Sequence, residues 1–242
     1  MSINEKEEEL FDRWQTESNY KPFIKDGIVE ETEWNKQKIK ICYVLKDTDR
    51  LDGHADNDLR KFLREGGSST YWKTWNNIVR YTKALLEDEE EYPKTISKAC
   101  KLEYLPKICA INLKKQDGKS SADKAEIAAF VMQDAEFIQE QLNLYQPDVI
   151  VCCGRGEGKN ADLLYEHVLD RDKTSGWQMN EKAIKGIENE KAVDINYYYT
   201  RFGGKETPVI SFLHPQKTKG THSLFADWYE TMRKVKKELN IY

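Results

Sequence analysis

Three residues whose side chains carry charge or hydrogen-bonding chemistry follow three separate apolar runs of the sequence. Asp47 comes two residues after one run, Asn112 lies near the end of a second, and His214 directly follows a third. A carboxylate stabilises a developing cation and orients water, an amide recognises a polar edge, and a neutral imidazole donates a hydrogen bond to a departing anion. These residue types therefore suit the cleavage of a bond that leaves a cationic and an anionic fragment.

The elements that must position these residues are four short apolar runs, separated by longer stretches with helical periodicity. This alternation is typical of a parallel sheet with crossover helices. It predicts an α/β fold of three layers, α/β/α, with a central four-stranded, mainly parallel sheet. Ligands of such sheets bind outside the carboxyl ends of the strands, so the polar residues after each run are expected at one edge. The predicted strands cover residues 39–45, 108–113, 149–153 and 209–213.

Helical periodicity and breaker residues divide the rest of a single predicted domain, residues 1–242. Residues 1–36 are predicted to form a helical N-terminal extension. Residues 170–205 fit no single period, so we treat them as an insertion with a β-hairpin or edge strand at 192–202. Apolar residues at helical spacing, bounded by cap and breaker residues, predict four helices at residues 58–63, 70–86, 121–145 and 224–239.

Composition excludes several classes of protein. Of the 242 residues, 39% are hydrophobic and 33% charged, which provides for one packed core and excludes a disordered chain. No stretch approaches the roughly 20 apolar residues of a membrane span, and residues 2–9 are acidic, so we expect a cytoplasmic monomer with no membrane partner. The five cysteines and four histidines lack metal-ligand spacing, so we predict buried thiols and neither a metal nor another cofactor.

The net charge of −4 does not favour a nucleic-acid partner, but the distribution of charge matters more than its sum. Acidic residues concentrate at 5–9 and 87–91, whereas lysines follow two of the predicted strands. This pattern predicts a locally basic face near the strand ends, although ordinary solvated surface stays open as an alternative. The clustered lysines are Lys114, Lys115, Lys119 and Lys124 after the second run, and Lys217 and Lys219 after the fourth.

The order of polar residues at the four strand ends resembles the uracil-DNA glycosylase superfamily over about residues 39–232. In that family the first strand ends in a Gly-Gln-Asp-Pro-like motif whose acidic residue positions a water, and Asp47 matches it. The next strand ends in an Asn that binds the flipped base, which Asn112 matches. The last strand runs into His-Pro-Ser-Pro, of which His214 and Pro215 match the first two members.

The resemblance implies a monofunctional DNA glycosylase that hydrolyses the N-glycosidic bond of a flipped-out base and leaves an abasic site. Asp47 would stabilise the oxocarbenium-like sugar and orient water, and His214 would stabilise the leaving base. The flipped base would be read by a fixed polar group and stacked on an aromatic ring. We assign base binding to Asn112, Lys46, Asp49, Tyr71 and Trp75, and DNA binding to Gly154, Arg155, Lys114, Ser121, Lys217 and Lys219.

One departure from the family bears on the substrate. The family has a Tyr that packs against C5 of uracil and excludes bases with a C5 substituent, but Asp49 stands in its place here. We therefore predict a pocket that admits a larger modified pyrimidine, such as the glucosylated hydroxymethylcytosine of some phage DNA, in an anti-phage role. Three alternatives stay open, namely uracil repair with another aromatic at C5, a non-catalytic binder of damaged or modified DNA, and an enzyme of free nucleotides or nucleosides.

Each site assignment also has a structural alternative. Asp47 and Asn112 belong to residue types that are common in turns, and His214 before proline is also typical of a hydrogen-bonded structural histidine. Tyr71, Trp72 and Trp75 have the spacing of a helix core as well as that of a stacking platform. The occurrence of such residues at four neighbouring strand ends favours a site over four independent turns.

Overall fold

One mixed sheet of seven strands organises the part of the chain that the computed structural model describes, which is residues 1–48, 57–65, 73–88, 91–116, 118, 123–170, 182–216 and 222–242. The strands pair in the order β1-β3-β2-β4-β7-β6-β5. Their bounds are β1 Gly27–Ile28, β2 Ile41–Leu45, β3 Cys109–Asn112, β4 Val149–Cys153, β5 Lys182–Glu188, β6 Lys191–Phe202 and β7 Lys205–Phe212.

The four predicted strands are the four central ones, β3, β2, β4 and β7, and each pairs in parallel with its neighbour. The predicted α/β class is confirmed. The predicted number of strands is wrong, because β1 adds to one side of the parallel core and β6 and β5 to the other, all in antiparallel pairing. All residues of β2, β3 and β4 are buried, which explains why these strands appear in the sequence as continuous apolar runs.

Eight helices flank the sheet within the described residues. Leu85 of α4 and Trp228 of α8 belong to the apolar core on one face, and Trp14 of α1 and Ile138 of α6 to the core on the other. Helices therefore cover both faces of the sheet. Their bounds are α1 Ile3–Ser18, α2 Glu31–Lys36, α3 Leu59–Arg64, α4 Lys73–Leu86, α5 Lys98–Tyr104, α6 Lys124–Tyr145, α7 Asn160–Leu164 and α8 His222–Glu238.

Capping residues define both ends of α6 and the start of α1, two helices whose side chains reach the sheet edge described below. Helix α6 begins after Asp123, whose side chain accepts a hydrogen bond from the Ala125 N–H, and ends at Gln146 in the left-handed conformation. Helix α1 begins with a reciprocal capping box between Ser2 and Glu5. None of the helices within the described ranges combines the length and apolar character that a membrane crossing requires.

The described part of the insertion forms a hairpin that extends the sheet. Strand β6 matches the predicted segment closely, but it lies between β5 and β7, so the edge strand is β5. Gly203 and Gly204 connect β6 to β7, both with positive φ, as a two-residue hairpin turn requires. Strand β7 therefore starts at Lys205, before the apolar run that predicted it. Trp177 lies outside the described residues.

Candidate active site at the carboxyl edge of the sheet

The carboxyl ends of the four parallel strands lie side by side, in the order β3, β2, β4 and β7. The chain moves from β2 to β3 on one side and then crosses to β4 on the other, so the direction of the connections reverses between β2 and β4. Open α/β sheets bind ligands at such a reversal. The side chain of Asn160 bridges the two strand ends there, because its Nδ2 donates to the carbonyl oxygens of Val44 at 3.1 Å and Cys153 at 2.8 Å.

His214 follows β7 and is held in one protonation state. Its Nδ1 accepts a hydrogen bond from the backbone N–H of Gln216 at 3.2 Å, so the ring proton lies on Nε2. Burial, together with the positive charges of Lys46 and Lys159, lowers the pKa of His214 from 6.5 to about 4. Near neutral pH the imidazole is therefore uncharged and carries its proton on Nε2, which has no acceptor among the described residues.

Buried polar groups of α4 anchor the turn that carries this histidine. Nδ2 of Asn77 donates to the carbonyl oxygen of Pro215 at 2.6 Å, and Oδ1 of Asn77 accepts from Arg80 at 2.8 Å. The Arg80 guanidinium also donates to the carbonyl oxygens of Pro93 and Lys94. Both side chains are buried, so the position of the His-Pro turn is fixed from the helix side.

Asp47 lies between the strand ends under a close backbone contact. Its side chain is 5% exposed, and its Oδ1 lies 3.6 Å from Nζ of Lys46. Gly118 packs on the carboxyl group so closely that a Cβ at that position would lie 2.5 Å from Cγ of Asp47. The Gly118 N–H donates to the carbonyl oxygen of Thr48 at 2.7 Å. A larger residue at position 118 would displace the carboxylate from this position.

Asn112 ends β3 and is almost completely buried, with 1% of its surface exposed. Its backbone N–H donates to Oδ2 of Asp26 at 2.7 Å. Its side-chain Nδ2 donates to the same oxygen at 3.2 Å and to Oγ1 of Thr48 at 2.7 Å. Both amide protons of the side chain are thus used inside the protein, and among the described residues none donates to its Oδ1.

A buried polar network holds Asp26 in turn. Nζ of Lys115 lies 2.6 Å from Oδ1 of Asp26 in an ion pair whose side chains are fully buried. Gln141 of α6 donates to the same oxygen at 3.1 Å and to the hydroxyl of Tyr145 at 2.8 Å. Tyr145 in turn donates to Glu7 of α1. Hydrogen bonds therefore connect the first helix of the chain to the end of β3.

Two of the predicted DNA contacts, Lys114 and Arg155, form ion pairs within the protein. Lys114 is ion-paired with Glu126 at 2.6 Å, lies against the Phe130 ring and is 7% exposed, so it does not form part of an open basic surface. Arg155 is exposed, and its Nη2 donates to Glu188 of β5 at 3.0 Å. In both cases the carboxylate partner is distant in sequence, so the local sequence does not show that these cations are paired.

The backbone N–H of Gly154, another predicted DNA contact, is used within the sheet. Its N–H donates to the carbonyl oxygen of Phe212 at 2.8 Å, so this group continues the sheet and does not point to a phosphate. Gly154 has a φ of +118°, and a Cβ there would approach Cδ2 of His214 at 3.8 Å. Gly154 therefore turns the chain beside the imidazole.

Trp75 does not have the position of a stacking residue. It lies in the core between α4 and the sheet with 4% of its surface exposed, so neither ring face is open to a base. The helix-core interpretation of this residue is the correct one. The other predicted contacts Asp49, Tyr71, Ser121, Lys217 and Lys219 lie outside the described residues.

Four residues that the sequence analysis did not assign contribute to this edge, namely Asp26, Thr48, Lys159 and Asn160. Of these four, only Asp26 could have been found from the sequence, because it is a single carboxylate within an otherwise largely apolar stretch before β1. In the structure it is fully buried. In the described ranges, no three His, Cys, Asp or Glu side chains converge as metal ligands would. The polar atoms at this edge suit hydrogen bonding and charge stabilisation.

Comparison with known proteins does not assign this arrangement to a family. No protein-family model matches the chain, and no curated protein matches it either. The chemistry of the strand ends, with an uncharged imidazole donor, a carboxylate and a fixed amide at one edge of the sheet, is therefore the basis for a functional conclusion.

Proposed function

We propose that this chain is a monofunctional DNA glycosylase, similar to the uracil-DNA glycosylases, that removes a flipped-out modified pyrimidine. The observation that carries the proposal is the hydrogen bond that fixes the His214 proton on Nε2, in an imidazole that burial and the positive charges of Lys46 and Lys159 keep uncharged. A departing pyrimidine carries negative charge on its carbonyl oxygen. A neutral donor flanked by positive charge stabilises that anion without first transferring a proton to it.

The other half of the reaction falls to Asp47. As the bond between the sugar C1′ and the base nitrogen breaks, its electron pair leaves with the base and positive charge develops on the sugar. The Asp47 carboxylate stabilises that charge and orients a water molecule for addition to C1′. The water loses a proton as it adds and the anionic base takes one up from solvent, which leaves an abasic site and a neutral free base. Gly118 and Lys46 fix the position of the carboxylate from two sides.

The modified pyrimidine is the more specific part of the proposal. It rests on Asp49, which stands where the related enzymes have a Tyr against C5 of uracil. A base with a bulky hydroxylated substituent, such as glucosylated hydroxymethylcytosine, would suit that polar position. Removal of such bases from phage DNA would make the chain a defence enzyme, with DNA as its partner.

A direct assay tests the proposal. The full chain is incubated with single-stranded and duplex DNA carrying uracil, 5-hydroxymethylcytosine or its glucosylated form, and abasic sites are then cleaved with alkali. We expect strand breaks at a modified cytosine. Breaks at uracil alone would indicate uracil repair, and the absence of breaks on every substrate would contradict the glycosylase function.

The same assay separates an enzyme from a DNA-binding protein without activity. A non-catalytic binder would shift the mobility of the modified DNA and leave no alkali-sensitive sites. An enzyme of free nucleotides would release base from the mononucleotide but not from the polymer.

A further inference from the structure

The amide of Asn112 presents only one kind of group to a ligand. Both protons of Nδ2 are donated inward, to Oδ2 of Asp26 at 3.2 Å and to Oγ1 of Thr48 at 2.7 Å. Within the described residues, no donor reaches Oδ1. Asn112 can therefore accept a hydrogen bond from a bound molecule, whereas it has no proton left to donate.

The surroundings of Asp26 prevent the amide from turning over. Asp26 forms a fully buried ion pair with Lys115 and accepts further hydrogen bonds from Gln141 and from the backbone of Asn112. Its carboxylate is therefore an acceptor on every side. A reversed Asn112 amide would bring Oδ1 within about 3 Å of the Asp26 oxygen, and two acceptors facing each other in a buried site are strongly unfavourable.

We propose that Asp26 is a specificity-determining positioning residue, which fixes Asn112 as an acceptor and thereby selects bases with an amino group on the recognised edge. This inference rests on the proposed function and narrows its substrate class to 4-aminopyrimidines. The amino group of a cytosine-type base donates to Oδ1. The 4-oxo group of a uracil-type base needs a donor, and both protons of Nδ2 are already bonded to Asp26 and Thr48.

Matched DNA ligands test this selection without any need for catalysis. Oligonucleotides carry 5-hydroxymethylcytosine or 5-hydroxymethyluracil on a 2′-fluoroarabino sugar, which resists hydrolysis because the fluorine disfavours an oxocarbenium ion. The two bases share the C5 substituent and differ only on the edge that Asn112 would read. Fluorescence anisotropy with the full chain gives the two dissociation constants, and their ratio measures the selection.

For the wild-type chain we expect the amino base to bind roughly tenfold to a hundredfold more tightly than the oxo base. A buried 4-oxo group that finds no donor weakens binding by about that factor. Asp26→Asn should reduce the ratio toward one, because an amide at position 26 permits Asn112 to turn over. Thr48→Val should reduce it by about tenfold, because it frees one proton of Nδ2 for a 4-oxo group. Thr48→Ser retains the hydroxyl acceptor and should keep the wild-type ratio.

Two controls keep the outcomes separate. Asp26→Asn leaves Lys115 without its carboxylate and so risks unfolding, whereas Thr48→Val does not touch that ion pair, and thermal melting shows which variants are folded. A wild-type ratio near one, or ratios unchanged in both folded variants, would overturn the inference and leave the proposed function intact if bases are still released. If the wild-type chain releases no base from any DNA in the alkali assay, the proposed function itself would be overturned.

Discussion

The two halves of the carboxyl edge satisfy their polar groups in opposite ways. In the half formed by Asn112, Asp26 and Lys115, every side chain is fully or almost fully buried, and an ion pair and a hydrogen-bond network hold the amide. In the half formed by His214 and Lys46, the imidazole is only partly buried and accepts one backbone hydrogen bond.

Under the proposed function, this difference would separate base recognition from bond cleavage. The buried half has no freedom to rearrange, which suits a group that reads a base edge in a fixed orientation. The half around His214 has an incompletely buried imidazole and a positive electrostatic environment, which suits a group that must respond to charge developing on a ligand. Asp47 lies between the halves, where the sugar of a bound nucleotide would be in the proposed reaction.

The largest expected effect is on the chemical step. Asp47→Asn removes the negative charge near the sugar and should lower the rate of base release by about a thousandfold in single-turnover experiments. Asp12→Asn, at an exposed position of α1, is a matched control and should keep the wild-type rate. Equal rates for all three proteins would show that the reaction does not depend on the Asp47 carboxylate.

The next largest effect is on the free energy of unfolding, which should differ between variants of the two halves. Lys115→Met leaves Asp26 as an unpaired buried charge, so the free energy of unfolding should fall by about 3 kcal/mol or more. Lys46→Met removes a lysine that is 31% exposed and should change it by less than about 1 kcal/mol. Urea denaturation measures both. Similar losses in the two variants would contradict the contrast between a buried and an accessible half.

A smaller effect is expected from the turn that carries His214. Asn77→Ala removes the hydrogen bond to the Pro215 carbonyl and should lower base release by about tenfold, because the imidazole is then positioned less accurately. Asn143→Ala, on the exposed side of α6, is the control. If the rate of Asn77→Ala matches that of its control, α4 does not position the histidine.

The smallest effect is a change in the titration of one ring. Followed by NMR, His214 should titrate near pH 4, and Lys46→Met should raise its pKa because a like charge is removed. The lowered pKa of His214 also predicts how the stability of the folded chain changes with pH. Below pH 6.5 the unfolded chain takes up the proton first, so this contribution is present above pH 6.5 and is lost as pH falls through about 4. Titration near 6.5 would contradict the desolvated neutral imidazole.

The sequence predicts the parts of the fold that repeat a simple pattern. The parallel strands β2, β3 and β4 are buried throughout, as is the apolar part of β7, and all four appear as apolar runs. Trp228 and Met232 of α8 are buried as their helical spacing predicts. Because the carboxyl ends of parallel strands meet at one edge, the same runs also predicted where Asp47, Asn112 and His214 lie. Strand β1 was not predicted, because two residues give no period.

The parts that sequence analysis missed depend on contacts between distant positions. Lys114 was expected to face DNA, but its partner Glu126 lies in the next helix, and Lys115 pairs with Asp26 near the start of the chain. No local pattern reveals which lysine of a cluster is paired. Trp75 was ambiguous for a related reason, since an aromatic at helical spacing faces a core or a ligand with the same sequence pattern.

Mass spectrometry of the reaction products tests the proposed reaction most directly. Hydrolysis of the N-glycosidic bond predicts one free modified base for each abasic site formed, with an intact sugar-phosphate backbone before alkali treatment. A His214→Ala variant should give the same products far more slowly. Release of nucleotides in place of free base, or no product from any of the modified DNAs, would contradict base excision at this edge of the sheet.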